Sequence, residues 1–201
     1  MSDASLTIDP EHTALLVMDY QVGILASLAD ADVLLLRAAD AIATVRRHGG
    51  HIGYVRVAFE DADVEAIPST NKGFSQLAAI GIDLHNESPA TAIHQGVSPE
   101  AGDIIVRKTR VGAFSTTDLD EQLRRIGVTN LILAGVSTSG VVLSTVRDAA
   151  DRDYRLFVLA DATADRVPEV HEFLTESIFP RQAEVIASVD LEGLLSRVAP
   201  G

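Results

Sequence analysis

Short apolar runs alternate along this chain with longer amphipathic stretches, and this alternation restricts the fold more than any other feature. The run Thr13–Met18 is apolar almost throughout, with Pro10 before it and Asp19 after it, which is typical of a parallel strand buried on both faces. Strands that alternate with helices predict a three-layer α/β/α sandwich around a mostly parallel, six-stranded sheet. The six predicted strands are Thr13–Met18, His51–Phe59, Asp103–Arg107, Asn130–Ala134, Tyr154–Leu159 and Ala183–Ala187.

The amphipathic stretches carry helix signals at their ends. In Asp32–His48 the apolar residues recur at helical spacing, and the pair Gly49–Gly50 provides the signal that ends a helix. Thr116 or Thr117 is expected to cap the helix Asp118–Ile126. The predicted helices are Asp32–His48, Asp118–Ile126, Ser139–Arg152, Pro168–Phe179 and Asp190–Arg197.

Residues Glu60–Gly102 are the least regular part of the chain. They contain three prolines and a single short helical candidate, Lys72–Ala79. Long irregular insertions of this kind commonly shape a binding site or an interface. No internal repeat, low-complexity tract or linker interrupts the sequence, so residues 1–201 are expected to form a single domain.

Composition excludes several classes of function. The chain has no cysteine, which rules out disulfides, thiolate metal sites and a cysteine nucleophile. A net charge of −13 disfavours binding to nucleic acid. No apolar run reaches the roughly 18–20 residues of a membrane helix, and the polar start MSDASLTIDPEHT does not look like a signal peptide. We therefore expect a cytoplasmic protein whose partner is a small molecule, and neither nucleic acid nor a membrane.

Polar residues follow the predicted strands, at the edge where open parallel sheets bind their ligands. Asp19 follows the first strand and Lys108 follows the third. A carboxyl group at such a position can act as a general acid or base, and a neighbouring lysine can hold an anion. An ordinary salt bridge at the sheet edge explains the pair equally well. Other polar residues at strand ends are Tyr20, Gln21, Glu60, Asp61, Thr109, Arg110, Asp161 and Asp165.

The segment Gly135–Gly140, with the sequence GVSTSG, joins the fourth strand to a predicted helix. Backbone N–H groups at a helix start can bind a carboxylate or a developing oxyanion. An ordinary capped turn, with Ser137, Thr138 or Ser139 as the cap, is the alternative. The segment lacks the lysine of a phosphate-binding P-loop and the glycine spacing of a dinucleotide site.

The histidines give no sign of a metal site or of a serine-hydrolase triad. There are six of them, and none directly follows an apolar strand as a triad base would. Their spacing does not match H-E-x-x-H or another metal-binding pattern. Structural or surface roles are therefore expected for all six.

Three segments in order resemble the isochorismatase-like hydrolase superfamily, which includes nicotinamidases, carbamoylases and isochorismatase. They are ALLVMDYQVGIL, VRKTRVGAFSTTDLDEQLRRIGVTNLILAGV and GVSTSGVVLSTVRDAADRDYRLFVLADATAD. The resemblance runs from about Thr13 to the last predicted helix. It implies a single isochorismatase-like domain with a Rossmann-like strand order.

The hydrolytic members of this family use a catalytic Asp, Lys and Cys. The resemblance places the aspartate at Asp19, the lysine at Lys108 and the cysteine position at Val141, and it implies a cis peptide between Val136 and Ser137. Valine cannot attack a carbonyl carbon, so the covalent route of the cysteine members is closed at this position. The zinc-binding Asp-x-His of nicotinamidases is absent after the second predicted strand, so neither a metal nor another cofactor is expected.

The resemblance leaves more than one function open. The first is a hydrolase of a small, anionic molecule, in which Asp19 is the general acid/base and Lys108 its electrostatic partner. Vinyl-ether hydrolysis of the isochorismatase type needs no cysteine, although the GVYAHxG turn of that branch is absent here. The second is a non-catalytic member that binds a small molecule or assists assembly, and a lyase or isomerase built on the same Asp–Lys pair is the third.

The resemblance also implies a set of binding residues and an oligomeric state. Family members usually form homo-oligomers, so a dimer or tetramer is expected, with the 60–102 segment as a contributor. Arg56 is an additional candidate for the lining of the pocket. The residues expected to bind the substrate are Gln21, Phe59, Arg110, Val136, Ser137 and Gly140.

Overall fold

The computed structural model describes residues 7–76 and 83–196, and its centre is one parallel six-stranded sheet. The strand order is β3-β2-β1-β4-β5-β6, and every neighbouring pair is parallel. This confirms the predicted α/β class. The strands are β1 (Thr13–Met18), β2 (His51–Val57), β3 (Ile104–Lys108), β4 (Asn130–Val136), β5 (Arg155–Ala164) and β6 (Glu184–Ile186).

Helices follow the strands, and several are extended by shorter helical turns. The α-helices are α1 (Val22–Leu25), α2 (Ala31–Arg47), α3 (Asp61–Glu65), α4 (Leu119–Arg125), α5 (Leu143–Asp151), α6 (Pro168–Phe173) and α7 (Leu191–Leu194). Two π-helical turns, Thr138–Val142 and Leu174–Ile178, adjoin α5 and α6. Short 3₁₀ turns are Pro10–His12, Pro89–Thr91, Gln95–Val97, Phe179–Arg181 and Ser188–Asp190.

Two hydrophobic cores, one on each face of the sheet, produce the three layers. Successive strand residues point to opposite faces, so Leu15 and Val17 belong to one core, while Leu16 and Met18 belong to the other. The first core contains the buried face of α2 together with α7. The second contains the buried side chains of α4 and α5. All six residues of β1 are buried because this strand lies at the centre of the sheet with a layer on either side.

Some predicted boundaries differ from the structure. The N-cap of α4 is Asp118, so the expectation that Thr116 or Thr117 caps this helix is wrong, although the Thr117 hydroxyl accepts a hydrogen bond from the Leu119 N–H at 3.3 Å. Thr116 has another role, since its hydroxyl accepts from the Thr109 N–H at 3.0 Å. The helix proposed at 72–79 is a turn as far as residue 76, and residues 77–79 lie outside the described part of the chain. Among the described residues, no helix has both the length and the apolar character needed to cross a bilayer.

Gly135, in β4, lies close to β1 and to the π-helical turn that precedes α5. A Cβ atom there would lie 2.8 Å from Val142 Cγ2 and 3.2 Å from Met18 Cβ. We expect Gly135→Ala to lower the free energy of unfolding by about 1–3 kcal/mol, because overpacking forces the core atoms apart. Urea denaturation measures this loss. Gly193→Ala is the matched control, since a Cβ there meets nothing within 4 Å, and an equal loss in both variants would contradict the packing argument.

Candidate active site

The site lies at the edge of the sheet where β1, β3 and β4 end. Asp19 follows β1 with a φ of 59°, a left-handed conformation that aspartate tolerates better than most residues. Its N–H donates to the Val55 carbonyl at 2.7 Å, which fixes the backbone beside β2. Lys108 ends β3 and reaches past β2, so that its Nζ lies 2.8 Å from Asp19 Oδ2. The sheet therefore joins two residues that are far apart in the sequence into one buried ion pair.

Burial dominates the electrostatics of this pair. Asp19 is 5% exposed and Lys108 is 2% exposed. Burial raises the pKa of the Asp19 carboxyl above its usual value of 3.8, although the Lys108 charge and hydrogen bond oppose this rise. Lys108 Nζ also donates to the Arg110 carbonyl at 3.2 Å. Asp19 Oδ1 is buried and has no hydrogen-bond partner of good geometry among the described residues, although the nearby Val57 N–H also acts to lower the pKa of the carboxyl group.

The turn after β4 forms the opposite side of the site. A cis peptide bond joins Val136 to Ser137, and the π-helical turn Thr138–Val142 follows directly. The N–H and the hydroxyl of Ser139 donate to Asp165 Oδ2 at 2.8 and 2.6 Å. Thr138 Oγ1 lies 2.8 Å from His171 Nδ1. These contacts attach the turn to Asp165, which follows β5, and to His171 of α6.

The ionisable groups that hold this turn have shifted pKa values. Partial burial acts to raise the pKa of Asp165, but the hydrogen bonds from Ser139 and from the backbone N–H groups of Val167 and Arg166 together outweigh burial, and the pKa falls below 3.8. Burial lowers the pKa of His171 below 6.5, against the opposing charges of Asp165 and Glu172. Asp165 is therefore ionised and His171 neutral at pH 7, which suits their roles as hydrogen-bond partners of the turn.

A cavity of about 500 Å³ lies between the Asp19–Lys108 pair and the turn. Val141 is 2% exposed and forms part of its wall. Most of the other lining side chains are apolar, and the charged ones are Asp19, Lys108, Asp165 and Arg166. The full lining comprises Asp19, Ile24, Ser27, Val57, Phe74, Leu84, Lys108, Val111, Val136, Ser137, Ser139, Gly140, Val141, Asp165, Arg166 and Val167.

The family model of the isochorismatase domain matches residues 13–190, which includes every strand of the sheet and every wall of the cavity. The chain belongs to the isochorismatase family. This agrees with the resemblance seen in the three sequence segments.

Known relatives span almost the whole chain. The isochorismatase family protein YwoC of Bacillus subtilis is 33% identical over 181 residues, which cover 88% of this chain and 90% of that protein. Ureidoacrylate amidohydrolase RutB of Methylobacterium radiotolerans is 31% identical over 220 residues, covering 98% of this chain and 85% of that protein. The structure of an isochorismatase family protein from Burkholderia thailandensis superposes with a TM-score of 0.82 at 27% identity, covering 96% of this chain and 99% of that one.

The structure brings together most of the residues expected at an isochorismatase-family site. Asp19, Lys108 and Val141 line one cavity, and Val136, Ser137 and Gly140 line it with them. Gly140 is close to Ser137, since a Cβ at position 140 would lie 2.7 Å from the Ser137 hydroxyl oxygen. The small residue therefore leaves room for that hydroxyl.

Three residues expected to bind the substrate lie outside the cavity lining. The Gln21 side-chain amide donates to the carbonyls of Val57 and Thr91 at 2.8 and 2.9 Å and accepts from the Val57 N–H at 2.8 Å. Both N–H groups of the amide therefore donate to the backbone of β2 and of the 60–102 segment, and neither is left to bind a substrate. Phe59 is buried behind Phe74, with 5.9 Å between the ring centroids.

The expected arginines also have partners within the fold. Arg110 donates to the Thr109 carbonyl at 2.6 Å, and its guanidinium lies 5.6 Å from the centroid of the Phe74 ring. It supports a residue of the cavity wall but is not itself in the lining. Arg56 donates to Asn86 Oδ1 and, at 3.3 Å, to the Thr91 carbonyl.

The structure adds lining residues that sequence reasoning missed. Arg166 is one of them, and it lies in the lining next to Asp165, which the sequence already placed at a strand end. Arg166 reaches the cavity because β5 extends to Ala164, whereas the apolar run ends at Leu159. Its position after a strand was the available signal. Phe74 and Leu84 come from the irregular 60–102 segment, where no periodic pattern indicates which side chains point inward.

Proposed function

We propose that this chain is a hydrolase of a small, anionic molecule and that Asp19 acts as its general acid, with no covalent enzyme intermediate. The observation that carries the proposal is the free, buried Oδ1 of Asp19, which belongs to a carboxyl group in the cavity wall with a raised pKa. A raised pKa keeps a larger fraction of the carboxyl group protonated, which a proton donor requires.

The proposed reaction has two proton transfers. Asp19 donates its proton to the substrate on the side of the leaving group. A water molecule then forms the new bond to carbon while the bond to the leaving group breaks, and the Asp19 carboxylate accepts the proton that the water loses. Lys108 stabilises the carboxylate form between the two transfers from 2.8 Å away, and the backbone of Val136–Val141 binds the oxygen that gains negative charge.

Val141 decides which family mechanism the site can use. It stands in the cavity wall where the resemblance places the cysteine nucleophile, and the whole chain lacks cysteine. A valine side chain forms no thioester or other covalent intermediate, so water must attack the substrate directly. The apolar side chain also strengthens electrostatic interactions at the neighbouring ion pair by excluding solvent from one side.

Arg166 is the residue that we propose binds the anionic group. Lys108 is already paired with Asp19, whereas Arg166 has no carboxylate within 4.0 Å in the described part of the chain. In a chain with a net charge of −13, an unpaired guanidinium at a cavity is a selective site for a carboxylate. The relative RutB is named for ureidoacrylate, which carries such a group.

Removing this guanidinium should weaken the binding of anionic ligands. We expect Arg166→Met to raise the dissociation constant of ureidoacrylate about 10- to 100-fold, in line with the roughly 1.5–3 kcal/mol of a hydrogen bond to a charged group. Calorimetric titration measures the change. Arg155→Met is the matched control, because Arg155 lies at the opposite end of β5, over the Phe157 ring. Equal weakening of the ureidoacrylate methyl ester would show that the charge of Arg166 is not what matters.

The experiment that tests the function is a turnover screen of the unmodified chain. The panel comprises ureidoacrylate, related amide acids, cyclic imides and isochorismate, each measured before and after treatment with iodoacetamide. We expect hydrolysis of at least one anionic member and the same rate after treatment, since the chain has no thiol to alkylate. Ligand binding without turnover of any compound would overturn the proposal. It would instead favour a non-catalytic protein that binds a small molecule. Valine at position 141, in place of a nucleophile, also suggests that alternative.

Restoring a thiol tests what the valine does. We expect Val141→Cys to gain amide hydrolysis that iodoacetamide abolishes, because the new thiol would lie in the cavity wall with Asp19 and Lys108. Val142→Cys is the matched control, since residue 142 is fully buried and does not line the cavity. Identical gains in both variants, or rapid alkylation without any gain, would show that position 141 is not oriented for attack.

A further inference from the structure

A second groove opens beside the cavity and shares part of its wall. It has a volume of about 370 Å³, and Ser27, Asp165 and Arg166 line both spaces. Arg166 is exposed, and its Nε donates to the Ser27 hydroxyl at 3.3 Å, which is long for such a bond. A weakly held side chain therefore lies at the junction of the two spaces, and a ligand can extend from one into the other.

The groove is mainly apolar beyond this junction. Val33 is 57% exposed and lines this concave surface, so its side chain is accessible to a ligand in the groove. Leu34, the next residue of α2, is buried and forms the base of this lining. The apolar lining residues are Leu28, Ala29, Val33, Leu34, Ala164 and Pro168.

The carboxylates around the groove are mostly committed to the fold. Asp161 accepts hydrogen bonds from the N–H and the hydroxyl of Ser188 at 2.8 and 2.7 Å, and it lies 3.7 Å from the guanidinium of Arg37. Asp165 accepts hydrogen bonds from the N–H and the hydroxyl of Ser139. Together with Asp30 they make the groove unfavourable for a second anionic group. The chemistry that suits this space is an uncharged, apolar chain.

We infer that the groove binds an apolar tail of the substrate. The inference rests on the proposed function, because the acidic group of the same molecule lies on Arg166 and its reacting bond lies beside Asp19. Continuity through the shared wall is the reason for assigning the groove to the substrate. The substrate class is thereby narrowed to a carboxylic acid that carries an uncharged apolar chain of several carbons.

A homologous series of straight-chain carboxylates, from acetate to octanoate, tests this inference by calorimetric titration. Affinity should rise about fourfold for each methylene group that enters the groove, the increment expected from its removal from water. Ala29→Trp should fill the groove and abolish the gain with chain length while the affinity for acetate stays the same. Ala26→Trp is the matched control, because residue 26 is also exposed but lines neither space, and this variant should keep the gain.

Two results would overturn the inference. One is an affinity that does not change with chain length, and the other is an affinity that rises with chain length as much in Ala29→Trp as in the unmodified protein. Val33→Asp provides an independent check, since a new carboxylate in the groove should weaken octanoate at least tenfold and acetate far less. The matched n-alcohols separate this inference from the proposed function. A different result is that the alcohols bind as tightly as the acids and still show an affinity that rises with chain length. That result would support the groove as a site for an apolar chain and would contradict the role of Arg166 as an anion site.

Discussion

Asp19→Asn should lower turnover by roughly 10²- to 10⁴-fold, the contribution typical of a positioned general acid. Asparagine has nearly the same shape and can still accept a hydrogen bond from Lys108, but its amide group has no acidic proton to transfer to the substrate. The measurement is kcat on whichever member of the substrate panel the unmodified chain hydrolyses. Binding of the substrate should change much less than kcat, because the proposed contact to the anionic group is made by Arg166 and not by Asp19.

Asp153→Asn is the matched control for this variant. Asp153 and Asp19 are the two non-glycine residues with positive φ in the described part of the chain, with φ values of 64° and 59°. The same exchange therefore makes the same demand on the backbone at both positions, but Asp153 is exposed and lies outside the cavity. An Asp19→Asn variant as active as the Asp153→Asn control would remove Asp19 from the mechanism.

The pH dependence of kcat separates an acid from a base at Asp19. If the protonated carboxyl group is the active form, the rate falls as the pH rises through the Asp19 pKa, which burial places above 3.8. A carboxylate acting as base gives the opposite profile. The free energy of unfolding should change with pH in the same direction as kcat. Because the pKa of Asp19 is raised in the folded state, its carboxyl group stabilises the fold below pH 3.8, and this contribution is lost as the pH rises through the folded-state pKa. The Asp19→Asn variant should lack both features.

The strands could be predicted because their signal is local. Thr13–Met18 is correct to the residue, since a strand buried on both faces must be apolar at every position. The end of β5 could not be predicted, because the segment after Leu159 contains polar residues that pair with β4 only after a shift in register. The five-residue extension carries Asp165 and Arg166 to the cavity, so the error in the strand also hid Arg166, whereas Asp165 was already among the strand-end candidates.

The ion pair could be predicted from topology, whereas the exact lining could not. Residues that follow parallel strands meet at one edge of the sheet, and for this reason Asp19 and Lys108 come together. The same rule placed Gln21 at the site. A buried amide must satisfy its donors and acceptor, however, and the nearest partners of Gln21 are backbone groups of β2 and of the 60–102 segment. Which way such a side chain points depends on contacts that the sequence pattern does not contain.

Lys108→Met should lower the free energy of unfolding at pH 7 by about 3–5 kcal/mol, the cost of leaving one member of a buried ion pair without its partner. Asp19 would remain 95% buried, with no compensating cation beside it. Urea denaturation measures the loss. Lys72→Met is the matched control, because Lys72 is the other lysine of the chain and is exposed, so its replacement should change the free energy of unfolding by less than about 0.5 kcal/mol.

The double variant Asp19→Asn/Lys108→Met shows where that energy originates. It should recover most of the loss, because no buried charge remains to be compensated. The deficit of the single variant should also shrink as the pH is lowered, since the unpaired Asp19 carboxyl takes up a proton and loses its charge. A double variant no more stable than Lys108→Met would mean that packing of the lysine chain, and not the charge pair, stabilises this edge of the sheet. Such a result would also contradict the proposed role of Lys108 in stabilising the Asp19 carboxylate between the two proton transfers.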